Sequence, residues 1–530
     1  MNKIQNPILR GFNPDPSICR AGDDYYIATS TFEWYPGVQI HHSRDLKNWR
    51  LLSRPLNRVS QLDMRGNPDS CGIWAPCLTY KDNKFWLIYT DVKGHSGIFK
   101  ESHNYLVTCD TIDGQWSEPI YLNSSGFDPS LFHDEDGKKY LVNMVWDYRQ
   151  GNHSFYGIEI QEYSVEDKKL IGSPKLIFKG TEIKSTEAPH IYAANGYYYL
   201  VVAEGGTVYE HAVTVARAKD LNGPYEVHPE NPIMTAANNP ENPMQKAGHG
   251  SFVNTHTDEW YLAYLVGRPL TERGYCPLGR ETAIAKLEWI NDWPYVVGGN
   301  QPQLMVDMPK MEECIWENTY DEVDDFNGKD LNINFQGLRV PLDDKISLTE
   351  RPGYLRVYGR ESLTSKFNQA LVARRWQSKE FYAQVGVEFK PNRFQQLAGI
   401  VCYYNTENWI YLHITLDEDV NKRRIGILHN NNNTFNELYL KNKIYIEDDI
   451  NQVHLRVDVD NDEMKFAYSF DNKEWNYLNE VFSSRQLSDD YVLRNSENGF
   501  FTGAFVGMCC QDLSGQGVAA DFDYFIYKES

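Results

Sequence analysis

The sequence predicts an all-β protein built as a five-bladed β-propeller followed by a C-terminal β-sandwich. The propeller rests on a repeat. Five stretches begin at Asp15-Pro16-Ser17-Ile18, Ala75-Pro76-Cys77-Leu78, Asp128-Pro129-Ser130-Leu131, Ala188-Pro189-His190-Ile191 and His249-Gly250-Ser251-Phe252. Each is followed by a polar turn and an aromatic-aliphatic strand: Tyr25–Ala28, Phe85–Tyr89, Tyr140–Val142, Tyr197–Val201 and Trp260–Tyr264. The starts lie 60, 53, 60 and 61 residues apart. In an all-β chain that period leaves room for about four strands per unit, which is one propeller blade. The sandwich rests on a second observation, period-two alternation beyond residue 320. It is clear in Tyr382–Phe389 and Gln452–Val459, with polar turns such as Asn430–Asn433 between strands.

The repeats fill residues 1–305. The segment 306–319, with Pro309 and the charged run Lys310-Met311-Glu312-Glu313, breaks the pattern and reads as the linker. Residues 320–530 form the second domain, in which Ile400–Tyr404 and Trp409–Leu412 read as further strands. No long amphipathic helix is expected anywhere.

Composition excludes some classes of partner. Fifty-two basic against 73 acidic residues give a net charge of −21, and no long basic run interrupts it. Such a chain repels a phosphate backbone, so no nucleic-acid partner is expected. No apolar run approaches the ~18–20 residues that span a bilayer, so no membrane partner is expected either. Met1–Pro7 lacks the apolar core of a signal peptide, and the nine cysteines have no paired spacing. A reducing cytoplasm is therefore the expected location.

Equivalent positions in propeller blades sit at equal radius and height about one axis. Asp15, Asp128 and His249, with Glu187 one residue before its equivalent position, should therefore ring one mouth of the central channel. Glycoside hydrolysis needs an acid for the leaving oxygen and a second carboxylate to activate water or to attack directly. A third carboxylate can keep the acid protonated by like-charge repulsion. Each residue taken alone also has a plainer reading. Asp15 and Asp128 suit Asx turns before proline, Glu187 a solvated strand end, and His249 a buried hydrogen-bonded core. Arg280 could pair with Glu281 or another surface acid. Phe32, Trp74 and Trp146 suit either blade core or a sugar-stacking wall. The common register of the three carboxylates in the repeat favours the site.

These residues resemble family-43 glycoside hydrolases along essentially the whole chain. Asn13-Pro14-Asp15-Pro16-Ser17, Trp74-Ala75-Pro76, Gly126-Phe127-Asp128, Thr186-Glu187-Ala188-Pro189-His190, Glu204-Gly205-Gly206-Thr207, Arg280-Glu281-Thr282 and Phe500–Gly507 match that family's pattern. The nearest likeness is to its intracellular bacterial β-xylosidases. The resemblance implies an inverting, exo-acting enzyme that releases xylose from the non-reducing ends of β-1,4-xylo-oligosaccharides, with α-L-arabinofuranosidase side activity. It casts Asp15 as general base, Glu187 as general acid, and Asp128 as the group that tunes and orients the acid. Phe32, Trp74, Trp146, Thr207, His249 and Arg280 fall where relatives line the sugar pocket. Phe505 falls where the sandwich narrows it. The resemblance also implies a homo-oligomer, dimer or tetramer, and no required cofactor. Some relatives hold a structural calcium ion. The run Asp321, Glu322, Asp324 and Asp325 offers ligands but equally suits solvated surface, so no metal is assigned. Two competing readings remain: an arabinan-acting member of the family, and a sugar-binding propeller without catalysis.

Overall fold

The computed structural model describes residues 2–316, 322–495 and 500–530. Nearly every described element is a strand; the exceptions are a 3₁₀ turn at Ser484–Leu487 and a seven-residue helix at Asp489–Asn495. The first part forms five antiparallel sheets, each with four strands in chain order, and the fourth gains one further two-residue strand at Met234–Thr235. The five leading strands are Ser17–Ala21, Gly72–Lys81, Ser130–His133, Glu187–Ala194 and Gln245–Asn254. They touch one another in a closed circle, the last against the first. These sheets are the blades of a five-bladed propeller.

In the first and fifth repeats the serine at the third position ties one blade to the next. Ser17 Oγ accepts the Leu78 amide at 3.0 Å, and Ser251 Oγ accepts the Ile18 amide at 3.1 Å. Tyr192 Oη lies 3.2 Å from the same Ser251. The small polar group at this position satisfies strand-end amides that a narrow channel leaves without ladder partners. The ring is closed by the chain's own beginning. Lys3–Gln5 pairs with Met305–Asp307, and Asn6 donates to the Ile284 and Gln303 carbonyls at 2.8 Å each. The propeller thus extends to Asp307, slightly past the expected boundary at 305, and Ile315 and Trp316 end the described part of the linker.

The second domain is two stacked sheets. One runs Leu371–Arg375, Phe505–Asp512, Gln396–Asn405, Asn408–Asp417, Lys422–Asn431 and Thr434–Leu438. The strand Gln396–Asn405 is buried at every residue, and alternation explains why. Ile400, Cys402 and Tyr404 point into the sandwich core, whereas Val401 and Tyr403 point into a core shared with Phe12, Phe32 and Trp34 of the propeller. A strand covered on both faces reads as an uninterrupted apolar run. The domains are also joined by strand pairing, since Gly337–Leu338 pairs antiparallel with Trp34–Tyr35. Beside this, Arg339, fully buried, donates to Asp69 at 2.8 Å and to the Asn67 carbonyl at 3.0 Å.

Of the acidic run considered for calcium, Asp321 lies outside the described residues. Asp324 accepts the Phe326 amide and Asp325 the Asn327 amide, both as turn caps. Among the described residues no group of three or more His, Cys, Asp or Glu could hold a metal ion.

Candidate active site

All five repeat starts share one backbone feature. Asp15, Ala75, Asp128, Ala188 and His249 have φ of 56°, 30°, 53°, 52° and 50°. Left-handed backbone is uncommon for non-glycine residues and concentrates at functional sites. The register of the leading strand slips at this point in blades two, four and five, between Trp74 and Cys77, Glu187 and His190, and Gly248 and Ser251. Such bulges re-aim a side chain. Blades one, three and five present Asp15, Asp128 and His249 to one cavity, while blades two and four, with alanine at that position, present the preceding Trp74 and Glu187.

That cavity has a volume of about 220 Å³, the scale of one sugar ring rather than of a chain. Its polar end is built around Asp15, which is 5% exposed. Ser30 Oγ donates to Asp15 Oδ2 at 2.6 Å, and Arg280 Nη1 donates to Asp15 Oδ1 at 3.0 Å. His249 Nδ1 stands 3.5 Å from the same oxygen. Burial pushes the Asp15 carboxyl up, but the opposing guanidinium of Arg280, His249 and the Ser30 hydroxyl together hold it below its ordinary value. His249 is itself driven toward its neutral form, by burial first. At neutral pH the charge that stabilises ionised Asp15 therefore comes from Arg280. The same Nη1 reaches Thr207 Oγ1 at 3.0 Å, and Nη2 donates to the Phe501 carbonyl at 3.0 Å.

The other two carboxyls behave in the opposite way. Glu187, half-buried at the cavity wall, is pushed up to about 8, by burial first and then by the charge of Asp15, with Arg280 and Lys100 opposing. Asp128 is pushed well above its ordinary value by burial, Glu187 and Asp15. The expectation was that charged Asp128 keeps Glu187 protonated. The charge of Asp15 adds to the rise of Glu187, while the repulsion between Asp128 and Glu187 is felt as a rise of Asp128. One pocket thus holds a carboxyl pushed down, Asp15, beside two carboxyls pushed up, Glu187 and Asp128.

The apolar end is a basket of rings. Trp74 is fixed by its indole N–H donating to the Ser70 carbonyl at 2.8 Å. Around it stand Phe32 at 6.0 Å, Phe501 at 5.5 Å and Phe127 at 5.4 Å between centroids. Trp146 packs edge-on to Phe155, and Lys100 Nζ sits 4.5 Å over the Trp146 ring. Phe32, Trp74, Trp146, Thr207, His249 and Arg280 all line the cavity, as do all three expected carboxyls.

Phe505 does not, and this is a correction. Phe505 opens a central strand paired on both sides, with Arg375 and with Tyr403. Its ring, fully buried, stacks on Trp34 at 3.5 Å in the interdomain core. The sandwich residue that closes the cavity is Phe501, in the loop before that strand, held by its amide to Ser70 Oγ at 3.0 Å. The loop can descend because residue 279 is glycine, with φ of 70°; a Cβ there would stand 2.7 Å from the Thr502 carbonyl. The sequence reading also missed Lys100, Phe127, Phe155, Gly206 and His211, which complete the lining. Phe127 stood inside a recognised motif beside Asp128. Lys100 lies in a blade loop and Phe155 opens the strand Phe155–Ser164 opposite Trp146, both outside the repeat, and neither gave a signal. His211 packs so tightly that a Cβ on Gly248 would meet its ring at 2.3 Å.

Comparison with known proteins gives the family. Residues 4–294 match the family described as glycosyl hydrolases family 43, and residues 323–528 match the β-xylosidase C-terminal concanavalin A-like domain. The chain belongs to glycoside hydrolase family 43. It is 60% identical to a β-xylosidase of Bacillus subtilis (strain 168), across 99% of this chain and 100% of the relative. It is 48% identical to xylosidase/arabinosidase 43B of Humicola insolens, across 100% and 98% of the two chains. The crystal structure of a xylan β-1,4-xylosidase from Bacillus halodurans C-125 superposes with a TM-score of 0.96 at 53% identity, over 99% of this chain and 100% of that one. The protein is a glycosidase, and its two domains are those of the family's β-xylosidases.

Proposed function

We propose that the protein is an exo-acting, inverting β-xylosidase that removes terminal xylose from β-1,4-xylo-oligosaccharides and cleaves terminal α-L-arabinofuranosides more slowly. The observation that carries this reading is one ring-sized pocket that gathers Asp15, hydrogen-bonded to Arg280 and Ser30, with Glu187 and Asp128; in it the Asp15 carboxyl is pushed down and the Glu187 carboxyl up to about 8. A cavity of about 220 Å³ capped by Phe501 accepts a chain end and not a chain interior.

In this reading Asp15 takes a proton from water as the water attacks the anomeric carbon, opposite the leaving group. The bond from that carbon to the aglycone oxygen breaks, and Glu187 delivers its proton to that oxygen. Asp15 ends protonated and Glu187 ionised, and exchange with solvent resets both. Arg280 keeps Asp15 charged before the attack and, with Thr207, offers a fixed donor edge. Asp128 neighbours Glu187 across the blade junction and orients it. The aromatic basket excludes water from the far face of the sugar and packs its C–H surface. The pairing of xylosidase with arabinosidase in the name of the Humicola relative supports the side activity.

Side-by-side hydrolysis of nitrophenyl β-xyloside and nitrophenyl α-L-arabinofuranoside tests the assignment. The β-xyloside is expected to turn over faster, with both signals lost together in Asp15→Ala. An enzyme active on the arabinofuranoside alone would contradict it.

A further inference from the structure

A second and larger cavity, of about 540 Å³, lies between the domains. It shares no lining residue with the sugar pocket, although Asn13, two residues before Asp15, forms part of its wall. In a chain of net charge −21 its lining is of the opposite sign: Arg10, Lys47, Arg50, Arg268, Arg374 and Arg375, with no acidic residue among the lining.

Several of these cations have carboxylate partners behind the wall. Arg10 pairs with Glu529 at 2.7 Å, Lys47 with Glu313 at 2.6 Å, and Arg268 with Glu281 at 2.6 Å. Arg375 is different. It is 6% exposed, and among the described residues its one hydrogen-bond acceptor is the neutral Gln336 amide at 2.6 Å and its Nε has no partner. Arg50 stacks on Trp316 at 4.1 Å, meets only the His42 ring at 3.3 Å, and its buried Nε is likewise without a partner. His41, also 6% exposed on this wall, has an unpartnered Nδ1. Burial, then the charges of Arg54 and Arg374, act against the Arg375 cation, with no carboxylate answering them. A desolvated guanidinium without a counter-charge is costly, and a multiply charged oxyanion supplies both the charge and in-plane acceptors for its fork.

We propose that this interdomain cavity is a binding site for a phosphate-bearing small molecule, held by Arg375 at its floor and Arg50 at its rim. The phosphate group accounts for the guanidinium groups, and the remaining volume accommodates the body of an ester.

Titration calorimetry of the full chain with inorganic phosphate and with ribose 5-phosphate, at ionic strength held constant with sodium chloride, tests the site. Saturable binding of either probe is expected, with ribose 5-phosphate tighter if an ester is the ligand and inorganic phosphate equal to it if the free ion is. Arg50→Gln, at the partly exposed rim, should weaken binding at least ~10-fold, as expected for one charge-assisted contact. Arg375→Met should abolish it. Absence of saturable binding, or unchanged affinity in Arg50→Gln, overturns the proposal. So does a loss of oligomeric mass in Arg50→Gln with no phosphate effect, which would make these cations a contact for a second copy. Since the site is separate from the sugar pocket, hydrolysis of nitrophenyl β-xyloside reports independently on the proposed activity.

Discussion

Asp15 and Glu187 are carboxyls in the same pocket, driven apart by their neighbours. Burial raises both, but Asp15 is hydrogen-bonded to Arg280 and Ser30, which with His249 outweigh it, whereas Glu187 meets Arg280 and Lys100 only as opposing charges that burial and Asp15 overcome. Two consequences follow for pH. Glu187 works as an acid only while protonated, so kcat/KM should fall as pH rises through about 8. The acid limb, set by Asp15, should lie below the ordinary carboxyl range. Lys100 opposes the rise of Glu187, so Lys100→Met should move the alkaline limb upward; a downward move in the pH profile would contradict the assignment. The same shift enters stability. The folded chain keeps a proton on Glu187 that the unfolded chain has released, so this contribution is fully present below the unfolded value and is lost as pH rises through about 8. Truncation at either position should cost roughly 10²–10⁴-fold in kcat, the usual weight of general acid–base help. Glu187→Ala should spare substrates with good leaving groups such as dinitrophenolate; equal losses on poor and good leaving groups would remove Glu187 from the acid role.

The repeat was legible because blades reuse one bend. The left-handed residue before proline or glycine recurs in every blade, and the aromatic strand after it forms the blade's second strand. That register placed Asp15, Asp128 and His249 at one mouth without knowledge of any distance, and it exposed Glu187 as one step out of phase. The bulge that produces this step is visible only in the paired strands. Loops outside the repeat were not legible, because nothing periodic ties them to the axis, and so Lys100 and His211 went unread; Phe155, at the start of a third blade strand, lies equally outside the repeated segment. The exchange of Phe505 for Phe501 has a definite cause. Six residues of Phe500–Phe505 carry three phenylalanines, and only strand pairing tells which ring is locked in a sheet and which sits in the free loop. The two can be separated by experiment. Phe501→Ala should raise KM with little change in melting temperature. Phe505→Ala should leave a cavity against Trp34 and cost ~3–5 kcal/mol, seen as a lower melting temperature. The reverse pattern would restore Phe505 to the pocket.

At the scale of the whole molecule the sandwich is part of the catalytic wall, not an appendage. Its strand Gln396–Asn405 is buried on both faces, Phe501 caps the sugar pocket, and the Phe501 backbone carbonyl holds Arg280. The all-apolar strand Ile400–Tyr404 already carried this information, since a free sandwich needs only one apolar face per strand. The partner for its second face could not be read from the pattern alone. The buried pair Arg339–Asp69 crosses the interface, so Asp69→Ala should strand the guanidinium and cost ~3–5 kcal/mol by denaturant unfolding; an unaffected midpoint would mean that the domains do not depend on this contact. Removing residues 322–530 should expose the shared core of Phe12, Phe32 and Trp34 and abolish activity, and a soluble, fully active propeller fragment would contradict the shared-site account. The central claim, that Asp15 activates water while Glu187 protonates the leaving oxygen, is tested most directly by proton NMR of the first sugar released from a β-xyloside, recorded before mutarotation. The account predicts α-xylose; β-xylose as the first product would mean retention, and Asp15 would then be a nucleophile rather than a base.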